Sequence, residues 1–252
     1  MCKSISDIKS EFNNLQTCDL EGFIATYSSD TRSGVIQLVK RAAGLIEKHN
    51  AEVERTERML SYEKQYSSYS YICGIDEVGR GPLAGPVVAG AVILPKDDPI
   101  LYLNDSKQLS AAKRDELYDV IMERAVAASV YFIDHKRIDE INILQATYEA
   151  MRGAIMNLKI KPDILLNDAV TIPGVDIKQV PIIKGDAKSC SIAAASIIAK
   201  VTRDRFMEEA DLLYPGYDFA SNKGYGSEKH IKAIKEKGPC PIHRMSFIGN
   251  FI

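Results

Sequence analysis

The stretch GIDEVGRGPLAG, Gly74–Gly85, decides how the chain is read. It begins inside a short apolar run, YICGI. It carries Gly79, Gly81 and Gly85 in an order that suggests a phosphate-binding turn. Two adjacent carboxylates, Asp76 and Glu77, stand just before those glycines. A dinucleotide-binding turn needs its helix to start among the glycines, so that the helix N-terminus meets the pyrophosphate. Here Pro82 and Pro86 interrupt, and a second β-rich run, PVVAGAVILP, follows. No G-K-[ST] follows either, which removes a P-loop. The stretch reads as two strands with a glycine-rich connection, a hairpin.

Working outward, SVYFI, DILLNDA and KQVPII read as three further strands. SAAKRDELYDVIMERAVAA has helical spacing with Ser110 as its N-cap. NILQATYEAMRGAIMNLKI is a second helix, ended near Pro162. SCSIAAASIIAKVTRDRFMEEADLLY is a long helix whose small residues point to close packing on a sheet. SEKHIKAIKEKG is a last helix, closed by Gly238 and Pro239. The pattern is an α/β domain with a mixed sheet over residues 71–252, ending in a helical part. Residues 1–70 read as a small helical extension with few large apolar residues, and SYEKQYSSYS as a linker out of it.

The chain has 252 residues, 46% of them apolar, enough for a real core. No run of about 18 or more apolar residues predicts a membrane span, and the start MCKSISDIKSEF lacks the apolar stretch of a signal peptide. Five cysteines, Cys2, Cys18, Cys73, Cys190 and Cys240, are scattered with no Cys-x-x-Cys pair, so neither a zinc site nor a disulfide framework is indicated. These features predict a reduced, cytoplasmic protein. A net charge of −2 argues against gripping nucleic acid by bulk charge. A local basic patch, KGYGSEKHIKAIKEK from Lys223, is compatible with that charge; a solvated helix face is the plain alternative.

Acids also end other predicted strands: Asp168 in LLNDAV and Asp186 in IIKGDAK. A sheet can bring such strand ends to one point. Four like charges together repel unless cations neutralise them, and hard divalent ions with oxygen ligands, Mg²⁺ or Mn²⁺, suit the task. Aspartates at strand ends often only cap turns, so spacing alone leaves both readings open. Adjacent strand residues point to opposite faces. Asp76 and Glu77 therefore share a site only if the strand bends or the metals lie beyond its end, and the glycines make a bend cheap.

GIDEVGRGPLAGPVVAGAVILP, LNDSKQLS, IDEINILQAT, IIKGDAKSCSIAAASIIAKVTRDRFM, YPGYDF, NKGYGSEKH and HRMSF, in order from Tyr71 to Phe247, resemble the bacterial type 2 ribonuclease H family, ribonuclease HII. The G-R-G triplet is similar to type 2 rather than to its relative ribonuclease HIII, and the helical lead-in to the extension of some Gram-positive members. The resemblance implies an RNase H-like mixed sheet flanked by helices. It implies hydrolysis of RNA in RNA–DNA hybrids and nicking 5′ of single ribonucleotides embedded in duplex DNA. It maps metal ligation and catalysis onto Asp76, Glu77, Asp168 and Asp186. In the mechanism expected from it, Asp76 lies between two Mg²⁺ or Mn²⁺ ions, Glu77 and Asp168 hold mainly one, and Asp186 the other. The products carry 3′-OH and 5′-phosphate ends.

The G-R-G triplet maps onto Gly79, Arg80 and Gly81, the D-S-K element onto Asp105, Ser106 and Lys107, and the tyrosine that packs on the neighbouring sugar onto Tyr225. Glycines let the backbone approach the 2′-OH without a Cβ in the way, and Arg80 offers several donors to a phosphate or sugar. Lys107 and Lys188 are candidate phosphate contacts, as are the amides near Ser189–Ser191 that open the long helix. His49, His135, His230 and His243 do not cluster in sequence, and His243 reads as structural. Two features depart from the family pattern: Asn167, where an aliphatic residue is usual, and the short apolar end SFIGNFI. A monomer is the default expectation, and the sequence leaves its protein partners open. The rival readings are a module that binds hybrids without cutting them, which the four acids oppose, and a nucleotide-dependent enzyme, which the prolines oppose. A protein-interaction role for residues 1–70 is compatible with catalysis.

Overall fold

The computed structural model describes residues 3–252; Met1 and Cys2, one of the five thiols, lie outside the described residues. The chain divides into two compact units, the first ending at Glu57 and the second spanning Arg58–Ile252. The first unit is helical: α1 (Ile5–Asn13), α2 (Leu20–Tyr27) and most of α3 (Ser33–Met59). Ser4 and Asp7 cap α1 reciprocally. Ile8, Phe12, Leu20, Phe23, Val35, Leu38 and Ala42 close a small core of its own.

The second unit begins with a short helix, α4 (Ser61–Gln65), followed by β1 (Ile72–Val78), β2 (Val87–Ile93), α5 (Ala111–Arg124), β3 (Ala127–Ile133), α6 (His135–Met156), β4 (Ile164–Asp168) and β5 (Lys178–Ile182). The long helix α7 (Cys190–Leu213) follows, then α8 (Phe219–Asn222), α9 (Glu228–Lys237) and α10 (Met245–Ile248). The sheet order is β3-β2-β1-β4-β5. β1 pairs antiparallel with β2, as the hairpin reading expects, and parallel with β4. The sheet is therefore mixed, as the sequence pattern predicts. No helix among the described residues is long and apolar enough to cross a membrane.

Each face of the sheet has its own core. Cys73, Ile75, Ala89 and Ala91 pack with Met151 and Ala154 of α6. On the other face Val92 packs with Ala194, Ile197 and Ile198 of α7 and with Leu117 and Ile121 of α5. Glycines decide how close α7 comes: a Cβ on Gly74 would overlap the Ser191 backbone, and one on Gly90 the Ala195 carbonyl. Gly90 is the register partner of Asp76. α7 thus lies almost on the backbone beside the first candidate acid, which the Ala- and Ser-rich sequence of α7 permits.

Three local readings change. The α6 helix starts seven residues before Asn142, at His135, but Asn142 breaks it with φ 67° and caps the second segment by accepting from the Leu144 and Gln145 amides. It stops at Met156, with Asn157 as C-cap. Ser61–Tyr69, unperiodic in sequence, is no free linker: Tyr62, Tyr66 and Tyr69 pack on Ile72, Ile164, Leu166 and Ile192. The apolar end is a packing element, with Ile248 buried beside Phe219 and Ile234.

Gly74→Ala should destabilise the second unit by about 2 kcal/mol or more through overpacking against α7, read as a lower urea midpoint; an unchanged midpoint would show that α7 can retreat.

Candidate active site

Asp76 and Glu77 lie near the end of β1, and pairing continues without a break to Val78↔Val88. The strand does not bend between them. The turn comes afterwards, at Gly79, whose φ is +90°. Asp76 shares the α7 face with Gly74 and Gly90, whereas Glu77 continues the opposite face. Of the two arrangements the alternation rule allows, a shared site beyond the strand end is the one compatible with this geometry.

Asp168 is the last residue of β4, and its Oδ1 accepts the Gly185 amide at 2.7 Å. Asp186 does not end a strand. It lies past β5 in a 3₁₀ turn, Gly185–Ala187, reached through left-handed Lys184. Gly185 is needed there, because a Cβ would press on Ile192 and Asp168.

The electrostatics tie these groups together. Burial, then the charges of Glu77 and Asp168, push the Asp76 carboxyl well above the usual carboxylate range, although a hydrogen bond from Ser196 opposes them. Burial also raises Glu77, against the pull of Arg80. Asp186 is raised by burial, then by Asp105 and Asp168. Lys107 answers from the other sign: burial alone would lower its pKa, but Asp105, Asp76, Asp186 and Asp168 together raise it. Its D-S-K loop is anchored through Ser106, whose hydroxyl lies 3.0 Å from that of Ser196. With Ser196 donating to Asp76, Ser106 donates to Ser196.

Among the described residues, no three acid, histidine or cysteine groups draw close enough to form a finished metal cage. The acids interact at the range of charge rather than of ligation. The donor set nevertheless fits a hard cation: oxygen ligands only, buried or half-buried, and mutually repelling.

The glycine-rich loop sits beside them. Arg80 is half-exposed and donates to Glu77 Oε1 at 3.2 Å. The Cβ position of Gly81 is open except for the ring of Tyr225, 3.7 Å away. Tyr225 itself is 45% exposed. The loop is held by two arginines that the sequence reading passed over, both 0% exposed. Arg203 donates to the carbonyls of Pro86, Ala84 and Lys223. Arg244 donates to those of Gly85, Arg80 and Gly79. Burial lowers their pKa to about 10 and about 9, so both stay charged at neutral pH.

Two candidate phosphate contacts do not join this group. Lys188 is exposed, and among the described residues only its backbone amide makes a hydrogen bond, to the Gly185 carbonyl. The opening of α7 is already occupied: Glu63 Oε1 accepts the Ser189 hydroxyl at 2.6 Å and the Ser191 amide at 2.9 Å. An internal carboxylate takes the place proposed for a phosphate, and it comes from the stretch that reads as a linker. Asn167 is fully buried and donates to Val170 O and Gln179 Oε1, while its own oxygen has no partner. His230 and His243 are buried against each other, which agrees with a structural His243.

A mixed five-stranded sheet flanked by helices, with acids gathered near the ends of its central strands beside a glycine-rich loop, has the architecture of the RNase H-like fold. The family comparisons specify it. Residues 73–250 match the family model described as Ribonuclease HII, and residues 4–67 the Ribonuclease HII N-terminal domain. A Ribonuclease HII of Lachnoclostridium phytofermentans is 62% identical over 246 residues, 98% of this chain and 97% of the relative. One of Clostridioides difficile is 49% identical over 99% of both chains. The crystal structure of the ribonuclease H2 from Pyrococcus horikoshii OT3 superposes with a TM-score of 0.59 at 28% identity, covering 72% of this chain and 98% of that one. The chain belongs to the ribonuclease HII family. It is a ribonuclease H endonuclease, acting on RNA–DNA hybrids and on embedded ribonucleotides.

His243 gives a pH signature. Burial first, then the nearby charges of His230 and His135, lower its pKa from 6.5 to about 4. The unfolded ring binds its proton near pH 6.5, the folded ring only near 4. Its contribution to stability is therefore complete above pH 6.5 and lost as pH falls toward 4. Urea unfolding from pH 7 to 4 should show a loss on the order of 2 kcal/mol from this ring, and His243→Gln should flatten the slope by that amount; an equal slope in the variant refutes the assignment.

Proposed function

We propose that Asp76, Glu77, Asp168 and Asp186 are the metal ligands and that the loop Gly79–Gly81 with Tyr225 reads the sugar. The observation that carries this is a set of acids, Asp76, Glu77 and Asp186, whose pKa values burial raises, with Lys107 in their field and an exposed tyrosine 3.7 Å from the Cβ position of Gly81. Divalent cations beside such carboxylates favour their ionised forms. Two Mg²⁺ or Mn²⁺ ions would supply an activated water and would neutralise the departing 3′ oxygen.

In this reading Asp76, oriented by Ser196, would serve both ions, Glu77 and Asp168 would hold mainly one, and Asp186 the other. Lys107, exposed yet within the field of four acids, meets a phosphate adjoining the cut. Gly79 and Gly81 bring backbone groups to the 2′-OH, the group that separates RNA from DNA, while Arg80 meets a phosphate or sugar. Tyr225 packs on the neighbouring deoxyribose and disfavours a 2′-OH there. No side chain needs to act as a nucleophile: Cys73 is buried and its thiol pKa is raised by that burial. Cleavage leaves 3′-OH and 5′-phosphate ends and opens the strand for removal of the ribonucleotide. We place the enzyme in the cytoplasm, with its DNA, and divide it functionally near residue 70. Lys188 keeps at most a peripheral phosphate contact.

A DNA duplex with one ribonucleotide, given Mg²⁺ or Mn²⁺, should be nicked on the ribonucleotide's 5′ side. Asp76→Asn should lower kcat by on the order of 10³-fold or more; cleavage that survives the substitution sinks the ligand assignment. Tyr225→Ala should reduce cleavage at the single ribonucleotide more than cleavage of an all-RNA strand, compared by the ratio of kcat/KM values.

A further inference from the structure

The imidazoles of His230 and His243 are buried, at 0% and 2% exposure, and no step above uses them. We infer that they form a proton-ordered relay that fixes the Tyr225 backbone, making both histidines positioning residues for sugar recognition. The inference rests on the reading of Tyr225 given above.

The order follows from the partners. His230 Nδ1 lies 2.8 Å from the Tyr225 carbonyl oxygen. A carbonyl only accepts, so Nδ1 carries the proton. In the neutral ring Nε2 is then bare. His230 Nε2 lies 3.0 Å from His243 Nε2. One of the two must donate, and it must be His243. That leaves His243 Nδ1 bare, and it accepts the Cys240 amide at 2.9 Å. The Cys240 carbonyl, 3.2 Å from the same nitrogen, is then a bystander. Four groups thus agree on one direction: Cys240 N–H to His243, His243 to His230, His230 to Tyr225 O. Burial lowers the pKa of both rings, which favours the neutral forms the chain needs. Tyr217 and Phe219 enclose the pair edge-on and tilted.

The relay completes a set of restraints. Lys223 O is held by Arg203, Gly224 O by the Leu83 amide, and Tyr225 O by His230 and the Ser227 amide. Three successive carbonyls are fixed while the Tyr225 ring stays exposed. A ring that must lie flat on a sugar takes its direction from its own backbone, and among the described residues no side chain hydrogen-bonds the exposed Tyr225 hydroxyl. The relay also connects Tyr225 to the segment Cys240–His243, whose next residue, Arg244, holds Gly79. The tyrosine and the glycine loop are therefore set from one stretch of chain.

Asn and Gln separate this role from simple filling of space, since an Asn amide reaches the Nδ1 position and a Gln amide the Nε2 position. His230→Gln should lower kcat/KM at a single embedded ribonucleotide by about tenfold, and on an all-RNA strand by less than about threefold. His230→Asn, which keeps a donor for Tyr225 O, should hold that ratio within about twofold of the parent enzyme. In a Tyr225→Ala background, His230→Gln should change the ratio no further. Equal losses on both substrates, or a further loss of ratio in the Tyr225→Ala background, would overturn the relay. If Tyr225→Ala alone leaves the ratio unchanged, the role of the tyrosine fails first and the relay with it.

Discussion

Two arginine side chains, wholly out of water and bonded to main-chain carbonyls, are the constraint on which the glycine-rich loop depends. Arg203 from α7 and Arg244 from the C-terminal segment between them hold the carbonyls of Gly79, Arg80, Ala84, Gly85, Pro86 and Lys223. A glycine-rich loop has the most conformational freedom to lose on folding. Here each guanidinium fork satisfies carbonyls that the loop's irregular path leaves without strand or helix partners. The glycines serve the same arrangement from the other side: a Cβ at Gly79 would run into Arg203, and one at Gly85 into Met207. Looseness in the sequence and rigidity in the fold thus have one cause.

The sheet is legible in the sequence because apolar runs bounded by glycine and proline have no other good use. The hairpin at Gly74–Ile93, the Ser110 cap and the long Ala-rich helix follow from pattern alone. The acids are legible only as strand-end residues, and even so Asp186 proves to lie on a turn. What pattern could not show is the set of groups working against type. Charged residues are ordinarily outside, so nothing in VTRDRF or HRMSF marks Arg203 or Arg244 as core. Glu63 sits in a polar, unperiodic stretch, and its bond to the start of α7 spans 126 residues. Local spacing carries no trace of a partner that far away. Ser196 could have been suspected: a hydroxyl on a helix face made otherwise of alanine and isoleucine usually has a purpose.

α7 links the two halves of the site. Its first turns lie against Gly74 and Gly90 and bring Ser196 to Asp76, while its middle carries Arg203 beneath the loop. One rigid element thereby sets the distance between the acids and the glycine-rich loop. Its N-terminus is closed by Glu63 rather than left to an external anion, so the helix is positioned before substrate arrives. Lys107 reaches the same acids from a separate loop, tied to α7 through Ser106 and Ser196.

The arginine bonds have a consequence for electrostatic attraction. Among the described residues neither guanidinium makes an ion pair, because carbonyls fill their forks. Carbonyl dipoles solvate a cation without cancelling it. Two full positive charges therefore remain just under the glycine-rich loop, in a chain whose net charge is −2. The attraction they add acts through solvent, where the screening length is about 10 Å at ordinary ionic strength, so it is felt only at short range and weakens as salt rises.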